Sequence, residues 1–206
     1  MDDRRRRGRP RSYDPDLALE RATEVFWGAG YAASSLDALS DAMDMNRPSL
    51  YGAFGDKETL YLTTLERYRD EGLKEMREAL DPQRPLRDGL AAVYARSLDI
   101  YYGGDAARGC FLVGTATVEA VRNPAVREML RVSLEGFDRT MEDRLRLAVG
   151  RGELAPSADT GALATLATGI MYSLAVRSRA GEPRARLEII ARATVDMICG
   201  PAVVAA

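Results

Sequence analysis

Histidine is absent from this 206-residue chain, and that single gap removes a large block of chemistry. Imidazole acid/base catalysis and the commonest zinc ligand both go with it. The two cysteines, Cys110 and Cys199, stand too far apart in sequence to suggest a disulfide framework. No Cys-x-x-Cys pair, no glycine-rich phosphate loop and no nucleophile–base constellation is present, so no metal, cofactor or enzymatic activity is expected. No run approaches the ~20 apolar residues that span a bilayer. The arginine-rich beginning lacks the apolar core of a secretory signal, so a cytoplasmic protein with no membrane partner is expected.

What remains is ordinary for a globular protein. Hydrophobic residues make up 46% and charged residues 29%, enough for real cores and too apolar for a disordered chain. The formal net charge is −2, but the positive charge is unevenly placed. Arg4, Arg5, Arg6, Arg7, Arg9 and Arg11 stand against only Asp2 and Asp3 in the first eleven residues. A basic arm on a mildly acidic chain suits a protein that touches nucleic acid with one end.

Helix signals dominate the rest. Asp14-Pro15 is a cap followed by proline at the first helical position. Leu17, Ala18, Ala22, Val25 and Phe26 then recur at helical spacing and predict a buried stripe. Gly28 and Gly30 are expected to end this helix. Ser34 with Asp37 resembles a capping box, with Ser35 as the alternative cap, and Leu36, Leu39 and Ala42 form the next inner face. A turn at Met43-Asp44-Met45 leads to Asn46 as cap of a third helix, with Pro48 in its first turn and Leu50 and Phe54 inward. Asp56 caps the helix that follows.

Two short helices joined by a tight turn have the build of a helix-turn-helix, which sets one helix in the DNA major groove. Further helices are predicted over 57–80, 86–102, 110–121, 124–149, 159–179 and 183–199, punctuated by Gly103-Gly104, Asn123-Pro124, Gly150 to Pro156 and Gly181 to Pro183. No segment alternates in the manner of a strand. The fold class is all-α.

Gly30-Tyr31, Ser34, Leu39-Ser40, Ser49-Leu50-Tyr51, Phe54, Lys57-Glu58 and Leu60 stand at the spacing of the TetR family's DNA-binding domain, and the chain resembles that family over about residues 10–62. The resemblance implies a homodimeric transcriptional repressor that binds a pseudo-palindromic double-stranded DNA operator and leaves it when a small molecule binds. Three regions follow: a basic arm over 1–11, a three-helix DNA-binding domain over 12–56, and a helical bundle over 57–206 for effector binding and dimerisation. Asp44 departs from the family's usual turn glycine, and Gly52 from its usual bulkier residue.

In this arrangement the third helix offers Asn46, Arg47, Pro48, Ser49, Tyr51 and Gly52 to DNA. Arg47 is the candidate for bidentate contact to guanine, with phosphate as its alternative. Pro48 suits a thymine methyl, and Ser49 a base or a phosphate. Tyr51 and Lys57 read as phosphate contacts, or as a packed aromatic and a plain surface lysine. Free amides near Ser34 and Ser35 are expected to hold another phosphate.

Tyr94, Leu98, Tyr101 and Tyr102, with Phe111, Met129, Phe137, Met171 and Tyr172, are the candidate effector lining, or simply core. Arg108-Gly109-Cys110-Phe111-Leu112-Val113 resembles a stretch in TetR regulators that sense electrophiles through a thiol. Cys110 is therefore a candidate sensor, its thiolate favoured by Arg108 and a nearby helix start. Gly161, Ala162, Ala164, Ala167, Gly169 and Ser173 suggest close backbone approach in a dimeric four-helix bundle. A ligand-binding module without DNA binding is the remaining alternative.

Overall fold

The computed structural model describes residues 13–104 and 107–200. Those residues are helical throughout, without a strand: α1 Pro15–Ala33, α2 Leu36–Ala42, α3 Arg47–Phe54, α4 Lys57–Ala79, α5 Leu86–Tyr101, α6 Thr117–Glu119, α7 Pro124–Gly150, α8 Thr160–Arg179 and α9 Arg184–Cys199. Two compact units divide after Thr64. None of the described helices is long and apolar enough to cross a membrane. The six arginines proposed for the arm lie outside the described residues.

Capping side chains explain most boundaries, the expected Asp14 and Asn46 among them. The Asp14 carboxylate accepts from the amides of Asp16 and Leu17, Asn46 from Ser49, Asn123 from Ala125 and Val126, and Asp159 from Ala162. Each satisfies amides that a helix start leaves without intrahelical partners. The cap of α2 is Ser35, whose Oγ accepts from Ala38. Ser34 is buried instead, its hydroxyl 2.6 Å from the Gly30 carbonyl. Gly30 breaks the helical path of α1 with φ 77° and ψ 167°, whereas Gly28 continues it.

In the first unit α1 packs on α2 and α2 on α3. Phe26 and Tyr61 meet edge to face at 5.0 Å, and Tyr31 lies 4.9 Å from Tyr61. Leu39 and Leu50 are fully buried beside them. The stripe on α1 is rotated from expectation: Leu17 is exposed and Trp27 buried.

In the second unit α8 packs against α5, α7 and α9, and α5 also meets α9. Leu86, Leu90, Tyr94, Leu98 and Tyr101 are all buried at three- or four-residue spacing on α5, the stripe that a helix in a bundle buries. The predicted helix over 110–121 is not regular. Leu112–Ala116 winds as a π-helical turn before α6. Arg179 causes close crowding here: a Cβ on Gly114 would stand 2.3 Å from its Nη1.

The buried Arg144 pairs with the partly exposed Glu153. The Arg144 guanidinium donates to Glu153 at 3.1 Å and to the Arg84 carbonyl at 2.8 Å, while Glu153 also accepts from the Leu86 amide. Arg144 is almost wholly buried, so its charge depends on that carboxylate.

Candidate nucleic-acid interface and interior tyrosine cluster

Asp44 makes the turn before α3. Its φ is 53°, the left-handed region that aspartate tolerates better than most side chains. The Met45 amide reaches back to the Ser40 carbonyl at 3.0 Å and closes the loop. Met43 and Met45 on either side are buried, which holds the turn against the first unit's core.

α3 is anchored by little more than Leu50. Of its eight residues only Leu50 is buried and Phe54 half-buried, while Arg47, Pro48, Ser49, Tyr51, Gly52 and Ala53 face outward. Burying one leucine stabilises by ~2 kcal/mol, so the helix is held from below and bare above. Tyr51 is 46% exposed. Gly52 faces open space, with nothing within 4 Å of a Cβ built there.

The polar groups of this surface differ in how they are held. Asn46 uses its side-chain oxygen on the Ser49 amide at 2.9 Å, which leaves its NH2 group outward. Arg47 donates from Nε at 3.0 Å and from Nη2 at 2.5 Å to one oxygen, Asp37 Oδ1. That hydrogen bond, followed by the charge of Asp37, holds the guanidinium above its usual range. Lys57 is half-buried with its Nζ 4.5 Å above the Tyr31 ring, a cation–π contact inside the first unit.

In the second unit, four of the proposed lining residues come together. Tyr101, Cys110 and Phe111 lie around Tyr68, a residue of α4, and Tyr172 lies near Tyr101 and Cys110. The Tyr68 hydroxyl donates to Cys110 Sγ at 3.5 Å, and its ring meets Phe111 edge to face at 5.6 Å. Burial lifts the hydroxyls of Tyr68 and Tyr101 well above the usual phenol range, and the adjacent Cys110 adds to both. Tyr172 is raised by burial and then by Asp138 and Cys110. Its hydroxyl is buried without a hydrogen-bond partner among the described residues.

The other proposed lining residues have separate tasks. Tyr94 donates to the Ala167 carbonyl at 3.1 Å and ties α5 to α8. Tyr102 donates to the Glu182 carbonyl. Leu98 and Met171 are buried. Phe137 packs against Gly72, where a Cβ would stand 3.1 Å from Cζ. Met129 lies under the Arg69 guanidinium, Sδ to Nη1 3.4 Å.

Cys110 does not have the electrostatics expected of a sensor. It is buried, and burial pushes its thiol up, outweighing hydrogen bonds from the Val113 and Leu112 amides and from Tyr68. A buried thiol of raised pKa is protonated at neutral pH and poorly reactive. The expectation of a favoured thiolate is corrected by that desolvation.

Comparison with known proteins now decides the family. The model for "Tetracyclin repressor-like, C-terminal domain" matches residues 87–194, and that for "Bacterial regulatory proteins, tetR family" matches 18–64. The chain belongs to the TetR family. It is similar to the HTH-type transcriptional repressor ComR of Escherichia coli K12, 29% identical over 192 residues, covering 93% of this chain and 91% of that one. It is also similar to the TetR-family regulator CifR, solved as a cysteine mutant with a 26-base-pair operator duplex. That match is 34% identical with a TM-score of 0.83, and covers 91% of this chain and 98% of the other. Escherichia coli NemR in its reduced form shares the fold at a TM-score of 0.81 and 19% identity.

Within this TetR-family protein, Tyr68 and Asp138 escaped the sequence reading, and Asp37 entered it as part of a capping box and not as the partner of Arg47. Tyr68 continues the three- and four-residue spacing of Tyr61 and Leu65 along α4, a signal that was present. Nothing local pointed to Asp138, or to the pairing of Asp37 with Arg47. The small-residue stripe of α8 also divides. Ala164 and Ala167 are buried inside the subunit, while Ala162 and Gly169 are exposed. Leu166, Val176, Ile189 and Met197 are exposed apolar residues on α8 and α9, and Met197 is 77% exposed.

Proposed function

We propose that this TetR-family protein is a homodimeric transcriptional repressor that binds a pseudo-palindromic operator through α3 and is released by a small-molecule effector. The observation that carries the reading is α3 itself: one buried side chain beneath, and Arg47, Pro48, Ser49, Tyr51 and Gly52 bare above. A helix so little buried has been left free for another surface, and the preceding turn and α2 complete the major-groove module.

Within it, Arg47 reads a base, the Asn46 amide and Ser49 hydroxyl donate to bases or phosphates, Pro48 packs on a thymine methyl, and Tyr51 reaches a phosphate. The phosphate at the start of α2 falls to exposed Ser35, since Ser34 is committed to Gly30. The basic arm over 1–11 adds salt-sensitive backbone affinity. Lys57, with its ammonium on Tyr31, contributes field rather than a dedicated contact. Residues 12–56 carry DNA binding and 57–206 the effector and the second subunit, in the cytoplasm, where bacterial DNA lies.

Dimerisation is supported by the exposed apolar residues Leu166, Val176, Ile189 and Met197 of α8 and α9, which a second subunit would cover. Effector binding is supported by the partnerless Tyr172 hydroxyl beside Tyr101, Cys110 and Asp138. These groups suit a modest organic molecule with a hydrogen-bond acceptor.

The test is a titration at two salt concentrations against an operator selected from randomised duplexes, with random DNA as reference. Arg47→Ala is expected to cost about 1–3 kcal/mol on the operator and much less on random DNA. Equal losses on both would remove Arg47 from base readout, and no preference of the wild type for any sequence would end the repressor reading.

A further inference from the structure

The pairing of Arg47 with Asp37 carries information beyond the placement of α3. It crosses the turn, joining the first residue of α3 to the first turn of α2, ten positions earlier. Both side chains are well exposed, 53% for Arg47 and 71% for Asp37. A pair this open adds ~0–1 kcal/mol to folding. A carboxylate on a DNA-facing surface also repels phosphate. General DNA affinity therefore fails to account for Asp37, and its stabilising place in the first turn of α2 does not require the pairing with Arg47.

Geometry supplies a different role. Asp37 Oδ1 takes the Nε and Nη2 hydrogens and so occupies one edge of the guanidinium plane. The adjoining edge, made of Nη1 and the second Nη2 hydrogen, has no partner among the described residues. That edge carries two parallel donors, which match O6 and N7 of guanine. Arginine normally surrenders much rotamer freedom on docking, and one already held in place surrenders less. Half neutralised by Asp37, Arg47 is also a weaker attractor of phosphate. Asp37 keeps its second oxygen free, and a carboxylate there accepts from the exocyclic amine of cytosine or adenine.

We propose that Asp37 is a positioning and specificity-determining residue: it aims Arg47 at a guanine and selects an amine-bearing base beside it. The inference rests on α3 being the base-reading helix.

The experiment compares wild type, Asp37→Ala, Asp37→Asn and Arg47→Ala by selection from randomised duplexes, followed by anisotropy titrations on the selected sequence and each single-base variant. Asp37→Ala is expected to lose about 5-fold or more of the discrimination at the guanine read by Arg47. It also loses the amine preference at the neighbouring base. Its affinity for random duplexes stays equal or rises, because a negative charge has gone. Asp37→Asn retains the acceptor oxygen and falls between. A purely structural role would shift operator and random DNA together and leave base preferences intact.

Wild-type preferences at every position in Asp37→Ala, beside altered preferences in Arg47→Ala, would overturn this inference alone. Intact preferences in both variants would remove Arg47 from readout and the inference with it. A wild type that selects no sequence would overturn both readings.

Discussion

Gly109 offers a direct test of how tightly the segment before Cys110 is held. Its φ is 66°, and a Cβ built there would stand 2.6 Å from the Ala175 carbonyl oxygen and 3.4 Å from Arg179 Cβ. Neither side has slack. The Arg108 and Gly109 amides both donate to the Tyr101 carbonyl at the end of α5, at 2.9 and 3.2 Å. On α8, Ala175 O accepts from the Ser178 hydroxyl at 2.9 Å. The obstacle to a methyl group is thus helix backbone and not a side chain that can swing away. In Gly109→Ala the left-handed backbone costs ~1 kcal/mol, and forced repacking costs a further ~1–3 kcal/mol. The lower entropy of the unfolded alanine chain returns ~0.5–1 kcal/mol. The expected net loss is about 1–3.5 kcal/mol, a sizeable part of a typical domain's ~5–15 kcal/mol. Gly150→Ala serves as the control, since that glycine is helical with nothing within 4 Å of its Cβ, and it should be neutral or gain up to about 1 kcal/mol. Urea unfolding followed by far-ultraviolet circular dichroism, at one protein concentration for all variants, reads both values. A Gly109→Ala protein within 0.5 kcal/mol of wild type would refute the reasoning, because the close approach to α8 would then not constrain the fold.

Two other perturbations follow from the same geometry. Burial alone would raise the Glu153 carboxyl, but the Leu86 amide and the Arg144 guanidinium outweigh it and hold it below the usual range. Its contribution is therefore complete above the unfolded value of ~4.3 and declines as pH falls through the lower folded value. Glu153→Gln should cost about 3 kcal/mol at pH 7 by leaving Arg144 buried without a counter-charge, and should flatten stability below pH ~4.3; an unchanged acid limb in denaturation curves would contradict the linkage. Gly52→Ala, on the open side of α3, should stabilise by ~0.5–1 kcal/mol through helix propensity alone, and a measured loss would mean that its backbone or surroundings are not as described.

Local chemistry made the helix boundaries legible. Asp14, Asn46, Asn123 and Asp159 act within three residues of themselves, so the sequence around each contains nearly all the physics of the cap. Asp44 is similar, because a left-handed turn residue is recognised by what it tolerates. Errors arose where a distant group decides. Leu17 and Ala18 fit two stripes one residue apart on α1, and packing of the unit selected the one that buries Ala18 and Trp27. The π-helical turn at Leu112–Ala116 has an apolar pattern that suits a regular helix equally well. Beside it, the Arg179 guanidinium of α8 occupies the space that a side chain at Gly114 would need.

The two functional surfaces differ for the same reason. On α3 the candidate side chains share one short helix, and knowing that Leu50 points inward fixes the outward set. In the second unit, Tyr68 and Cys110 are 42 residues apart, and the burial that raises the thiol comes from several helices at once. The Arg108-Gly109-Cys110 sequence suggests an activated thiol only because the neighbours that desolvate it are remote. Asp37 is an intermediate case. As a residue in the first turn of α2 it reads as a helix-start aspartate, a role that needs no partner. Its second role depends on the turn returning α3 so that Arg47 lies across it. Once the turn conformation at Asp44 is fixed, that meeting is a consequence of two short helices and involves no other part of the chain. A change in the turn should therefore reach base preference through the Asp37–Arg47 pair while leaving Leu50 buried.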